Sequence, residues 1–214
     1  MTPCRVAIMA KAPVAGLAKT RLAPVLGEAG AAALAARMLA HAVAQAAAAD
    51  LGPVTLWATP DVSHPAFGHA QRQHGLALAV QVGDDLGARM AHVFEAGFAQ
   101  GGSPILLMGT DAPALDARVL RQAAAAMLLH DAVFVPAHDG GYALVGLRAA
   151  PGNWLQALFS GMVWSTAQVM AQTRQRLASV GIDHTELQAV ADIDEPADLV
   201  HLPSNFQAPE MNLL

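Results

Sequence analysis

A single cysteine, Cys4, excludes any internal disulfide and suits a reducing compartment. Charge is also sparse: Asp, Glu, Lys and Arg make up 14% of the 214 residues, and the formal net charge is −5. A general nucleic-acid binder would usually carry a basic face, so none is expected as a partner. No run of about 18 uninterrupted apolar residues occurs, although mean hydropathy is +0.37. The longest candidate, Ala29 to Ala49, carries Arg37, His41 and Gln45 and reads as a packed helix without membrane insertion. Met1 to Val6 lacks a basic segment leading into an apolar stretch and a cleavage site, so a cytoplasmic protein is expected. The nine histidines form no HExxH and no Cys/His pairing, which argues against zinc. Neither a GxSxG nucleophile elbow nor a GxGxxG after the first apolar run is found.

The hydrophobic content is high, at 54%, and the length suits one α/β domain. Short β-like runs alternate with longer helical ones. Strands are predicted at Arg5 to Met9, Val54 to Ala58, Leu78 to Val82, Ile105 to Met108, Ala132 to Val135, Tyr142 to Leu147 and Asp183 to Glu186. Helices are predicted at Ala29 to Ala49, Pro65 to His74, Leu86 to Phe98, Ala117 to Leu129 capped by Asp116, Ser165 to Ser179, and from Pro196. This order implies a three-layer α/β sandwich with a mostly parallel sheet covered on both faces. One domain over residues 1–203 and a loosely ordered tail over 204–214 are expected.

Such sheets bind ligands outside the carboxyl ends of their strands. Three loops leaving those ends carry most of the chemistry-bearing residues. The loop after Met9 places Lys11, Lys19 and Arg21, three of the twelve basic residues, around Gly16. Lysine and arginine there suit a polyphosphate, and a solvated basic loop would look the same. A P-loop is excluded, because the required glycines are Pro13 and Ala18. The loop after Met108 carries Asp111, able to hold a hard cation such as Mg²⁺ or to sit in an ordinary turn before Pro113.

The loop after Val135 contains Asp139-Gly140-Gly141. These residues fit close approach to a ligand and equally fit a plain hairpin turn. Further on, Asp192 and Asp194 could complete a metal site with Asp111 or merely decorate a loop. Asp85 reads as a helix cap, and Arg89, in the first turns of that helix, as a ligand contact or a surface arginine.

Six motifs in order, KAPVAGLAKTRLAP, DLGARM, GTDAPALD, PAHDGGYALVGL, LFSGMVWST and DIDEPADL, cover nearly the whole chain. Together they resemble a bacterial family of candidate glycosyltransferases described as nucleotide-diphospho-sugar transferase-like. That family is distantly similar to the molybdenum-cofactor and 2-phospholactate guanylyltransferases and to the sugar-acid cytidylyltransferases. The resemblance implies a GT-A-type fold, with triphosphate held by Lys11, Lys19 and Arg21. It also implies Mg²⁺ or Mn²⁺ on Asp111 and on Asp194, the latter in a motif ending Pro-x-Asp-Leu. The chain departs from the pattern in having Pro13 and Ala15 where the guanylyltransferase loop is richer in glycine, and Asp111-Ala112-Pro113 where GT-A enzymes have Asp-x-Asp.

The expected function is therefore transfer from an activated nucleotide. The partners are a nucleoside triphosphate or a nucleotide-sugar and a small-molecule acceptor. Lys19 and Arg21 would stabilise developing charge and Asp139 would serve the acceptor. Gly16, Arg89, Gly140 and Gly141 would join Lys11 in binding the nucleotide. A non-catalytic nucleotide-binding module with the same fold is the alternative.

Overall fold

The computed structural model describes residues 3–101, 104–149 and 154–206. Among the described residues, seven strands form one sheet: β1 (Arg5–Lys11), β2 (Val54–Thr59), β3 (Ala77–Val80), β4 (Ile105–Met108), β5 (Ala132–Pro136), β6 (Tyr142–Leu147) and β7 (His184–Glu186). Their order is β3-β2-β1-β4-β6-β5-β7. All neighbours are parallel except β6, which runs against both β4 and β5. The expected mostly parallel, single-domain sandwich is thus the observed fold. Between β1 and β4 the strand order reverses direction, which leaves a crevice at their carboxyl ends.

Among these residues, six helices cover the sheet: α1 (Ala23–Ala49), α2 (Pro65–His74), α3 (Leu86–Ala99), α4 (Ala117–Ala126), α5 (Trp154–Phe159) and α6 (Val169–Val180). β4 shows why two layers form. Leu106 and Met108 enter the core beneath α1, α2 and α4. Ile105 and Leu107 enter the opposite core beneath α3, α5 and α6. Each such side chain is fully buried and contributes about 1.5–3 kcal/mol.

Helix starts follow their caps: Asp85 accepts from the Ala88 amide and Asp116 from the Val119 amide, both at 2.8 Å. By length and composition the span Thr20–Ala49 could cross a membrane. In the fold, Leu39, Ala42, Val43 and Ala46 of α1 are buried in the core.

Several boundaries differ from the sequence reading. α1 begins at Ala23 and is interrupted at Gly27, whose φ of 70° only glycine adopts readily. α6 begins at Val169, not Ser165, because Ser165 has a φ of 60°. α4 ends at Ala126, and β3 covers Ala77–Val80. The segment from Pro196 is a 3₁₀ helix to His201. Ser204–Phe206 form another such turn, with Phe206 buried beside Leu34 and Met38, inside the stretch expected to be loose. The remainder of that stretch, 207–214, lies outside the described residues.

Candidate active site

The register of the central strands places three loops at one edge of the sheet. Ile8 pairs with Met108 and Met108 with Leu144, so β1 and β4 end where antiparallel β6 begins. Beyond β1 the chain turns through Lys19, which adopts a left-handed φ of 48° just before a 3₁₀ turn at Thr20–Leu22. That turn buries the lysine side chain to 7% exposure.

Its ammonium lies 2.6 Å from Asp111 Oδ1 and 2.7 Å from Asp194 Oδ1, and donates to the Ile193 carbonyl at 2.6 Å. Burial alone pulls this ammonium down, but Asp111 and Asp194 outweigh it and hold the pKa above its ordinary value. The Ile193 amide donates to the Asp111 carbonyl at 2.8 Å, which locks the two acidic segments side by side. Asp198 Oδ2 accepts from the amides of Asp194 and Glu195, forming a capping box that fixes the approach of Asp194.

The two carboxylates expected to hold a divalent cation therefore meet around one positive charge. Their side chains are about half exposed, at 49% and 44%. Hard oxygen donors in a half-open setting fit a Mg²⁺-type ion that keeps waters and takes phosphate oxygens. An all-protein cage is a different matter: among the described residues, no group of three or more His, Cys, Asp or Glu side chains is placed to hold a metal.

On the other side of the crevice, Asp139 Oδ1 accepts from the Gly141 amide at 2.8 Å and closes the turn between β5 and β6. This is the hairpin that the Asp-Gly-Gly letters allowed. Asp192 stands near it. Burial, then the carboxylates of Asp139, Asp194 and Asp198, push the Asp192 carboxyl above its ordinary value.

Together these loops enclose a cavity of about 550 Å³. Lys11, Lys19, Arg21, Asp111, Asp139, Gly141 and Asp194 all line it. Lys11 is tethered to the Leu17 carbonyl at 2.8 Å, and the exposed Arg21 to Glu195 at 3.3 Å.

Three expected ligand contacts do not reach this wall. Arg89 turns back, its Nε donating to the Gly83 carbonyl at 3.0 Å to close the turn before α3. Gly16 sits over Glu28, whose Oε2 would be 3.2 Å from an added Cβ. Gly140 packs against the Ala167 backbone. Conversely, Gln81, Met90, Trp164 and Asp192 line the cavity. Nothing local in the sequence marks Gln81: its amide donates to the carbonyls of Ala10 and Trp57, contacts that only the fold creates.

The fold has solved counterparts. A candidate nucleotide-diphospho-sugar transferase from Desulfovibrio desulfuricans G20 is 26% identical, with a TM-score of 0.85 over 99% of this chain and 93% of that one. A CMP:2-keto-3-deoxy-manno-octonic acid synthetase complexed with CTP is 13% identical, with a TM-score of 0.54 over 92% and 95% of the two chains. A Mycobacterium tuberculosis H37Rv protein in complex with manganese is 16% identical, with a TM-score of 0.50 over 93% and 97%. The architecture is thus that of nucleotide-diphospho-sugar transferase-like proteins. No curated protein matches the chain. A family model described as "Uncharacterized protein conserved in bacteria (DUF2064)" matches residues 35–166, well over half the length, and the chain belongs to that bacterial family.

Proposed function

We propose that the cavity is the active site of a metal-dependent transferase acting on an activated nucleotide. The reaction is either nucleotidyl transfer from a nucleoside triphosphate or glycosyl transfer from a nucleotide-sugar, to a small acceptor. The observation that carries this reading is the meeting of Asp111, Asp194 and Lys19 at the switch point of the sheet. A fold counterpart complexed with CTP and another with manganese support the nucleotide and the divalent cation.

In this reading Asp111 and Asp194 hold Mg²⁺ or Mn²⁺, which when bound supplies charge neutralisation at the phosphates. Lys19 and Arg21 add fixed positive charge where the leaving phosphate develops its own negative charge. Arg21, 65% exposed and paired with Glu195, can exchange that partner for a phosphate. Lys11 reaches the same space from the end of β1. Asp139 orients the acceptor hydroxyl and takes its proton through the carboxylate oxygen that Gly141 leaves open. The base lies against Gln81, at the end of β3, where ligands of such sheets collect.

The test is a thermal-shift screen of nucleoside triphosphates and nucleotide-sugars, with and without Mg²⁺, on the native chain and on Asp111→Ala. A ligand that binds only the folded state raises the melting point. A Mg²⁺-dependent shift that Asp111→Ala abolishes is the expected result. A triphosphate giving it favours nucleotidyl transfer, and a nucleotide-sugar favours glycosyl transfer. Binding without any product over prolonged incubation would identify a non-catalytic nucleotide-binding module. Absence of any shift would refute the reading.

A further inference from the structure

The cavity has two unlike ends. Its cationic lining residues, Lys11, Lys19 and Arg21, come from the last residue of β1 and the segment that follows it. The other arm runs beneath α3. Met9 and Val145 point there, and Met90, Tyr142 and Trp164 pack against the same core. Asp139, in the turn that leads into β6, and Asp192 beside it add carboxylates to the lining.

Two local devices build the arm. Val135 pairs with Leu144 and Pro136 with Tyr142, which leaves Ala143 as an extra residue in β6. This bulge breaks the alternation and turns Tyr142 to the face of Val145 instead of that of Leu144. The second device is Gly87. A Cβ there would come 2.8 Å from Trp164 Nε1, so the missing side chain is what seats the indole.

Neither ring offers a polar handle to a ligand. The Tyr142 hydroxyl donates to Met90 Sδ at 3.9 Å, and the Trp164 indole nitrogen is buried without a partner among the described residues. Tyr142 and Trp164 meet edge to face, with centroids 6.5 Å apart. What the arm presents is therefore aromatic carbon and methionine, edged by carboxylates.

We propose that this arm is the acceptor subsite, and that it takes an uncharged alcohol with a flat apolar body, excluding phosphorylated and carboxylated acceptors. The proposal rests on the transferase reading for its catalytic meaning. The apolar body packs on Trp164, Tyr142 and Met90, and the hydroxyl points back toward Asp139. An anionic acceptor would bring a second negative charge against Asp139 and Asp192, while the cations of the lining are already held by the Leu17 carbonyl, Asp111, Asp194 and Glu195. In the transfer, the acceptor oxygen bonds to the donor's phosphorus or anomeric carbon. The bond to the leaving pyrophosphate or nucleoside diphosphate breaks with its electron pair going to that group, and the hydroxyl proton passes to Asp139.

The probes are 4-phenylbutanol, its phosphate monoester and 4-phenylbutanoate, titrated into the full chain with Mg²⁺ while tryptophan fluorescence is read. The alcohol should bind at least tenfold more tightly than either anion, and Trp164→Ala should remove that binding. A second variant, Leu86→Arg, adds a cation at an exposed position of the lining and should shift the preference toward the phosphate ester even if Trp164→Ala fails to fold. An anion binding as well as the alcohol overturns the proposal, as does alcohol binding untouched by both variants, or no binding of any probe. Nucleotide melting shifts, measured in parallel, separate the two ideas. Nucleotide binding with a winning phosphate ester sinks the acceptor class alone. Alcohol binding with no nucleotide shift sinks the transferase reading and leaves the occupant of the arm standing.

Discussion

The Lys19 ammonium lies 2.7 Å from Asp194 Oδ1, joining positions 175 residues apart in the chain. It also touches Asp111, so one buried cation holds together the two carboxylates on which the metal reading depends. Replacing it leaves those carboxylates facing each other. Lys19→Met should destabilise the fold by about 1.5–3 kcal/mol, the range for hydrogen bonds to charged groups. For a domain of this size that lowers the melting point by about 2–4 °C per kcal/mol. Millimolar Mg²⁺ should restore more of the melting point in Lys19→Met than it adds to the native chain, since a divalent ion can take the place of the ammonium. Equal effects of Mg²⁺ on both proteins would show that the carboxylates do not share an ion.

Gln81 makes a sharper claim about the nucleotide. Its Nε2 donates to the Trp57 carbonyl at 2.9 Å and to the Ala10 carbonyl at 3.2 Å. Reversing the amide would set oxygen against two carbonyl oxygens, so the orientation is fixed and Oε1 remains for a ligand. An acceptor atom selects a base with an exocyclic amino group over one with a keto group. CTP should therefore raise the melting point more than UTP, with an affinity ratio of about tenfold for one hydrogen bond of roughly 1.4 kcal/mol. Gln81→Leu should erase the difference. A preference for UTP would refute this placement of the base.

Parts of this site were legible in the sequence for reasons that can be named. Strands such as Ile105–Met108 are short apolar runs bounded by turn residues, and Asp85 and Asp116 stand where helix caps belong. The residues alone allow Asp192 or Asp194 to join Asp111, and the family resemblance is what singles out Asp194, because no local pattern links residues so far apart. α5 went unseen, since six residues are too few to display a helical period. The direction of β6 was also hidden: an apolar run signals burial and carries no information on orientation. Arg89 was assigned to the ligand from its place at a helix start, but Gly83, six residues earlier, offers a nearer carbonyl.

A pH dependence follows from the edge strand. Arg174 on α6 donates from Nε and Nη2 to the two carboxylate oxygens of Glu186 on β7, each at 2.7 Å. That contact holds the Glu186 carboxyl below its ordinary value. A depressed carboxylate stabilises the fold fully above its unfolded pKa, about 4.3, and loses that contribution as pH falls through the folded value. The pair is partly exposed and lies at the surface, so Glu186→Gln should cost only about 0.2–1 kcal/mol at pH 7. Melting curves between pH 7 and pH 3 should show the two proteins converging as pH falls below about 4. A gap that stays constant would mean the ion pair contributes nothing.

Cys4 should be inert in the folded chain. Burial pushes its thiol up to about 12, so almost no thiolate exists at neutral pH. Native protein should react with a thiol-specific disulfide reagent far more slowly than the same protein in guanidinium chloride. Rapid labelling of native protein would contradict the buried environment of Cys4.

Gly140 tests whether the acceptor loop is held by its contact with the segment before α6. Its φ is 91°, and an added Cβ would lie 2.3 Å from the Ala167 carbonyl oxygen and 2.6 Å from its Cα. Its own carbonyl accepts from the Met170 amide at 2.8 Å. Backbone atoms on both sides leave nothing that can swing away, so Gly140→Ala has to displace the loop carrying Asp139. Gly181 is the control: it has a φ of 69° with nothing within 4 Å of an added Cβ. Gly181→Ala should cost about 1 kcal/mol from backbone conformation alone. Gly140→Ala should cost more, about 2–4 kcal/mol, once displacement is added to strain. If the loop positions Asp139 for the acceptor, Gly140→Ala should also abolish transfer while the Mg²⁺-dependent nucleotide shift survives, because Asp111, Asp194 and Lys19 stand on other segments. Equal melting losses in the two variants would show that the Ala167 contact can relax, and transfer surviving in Gly140→Ala would remove Asp139 from the reaction.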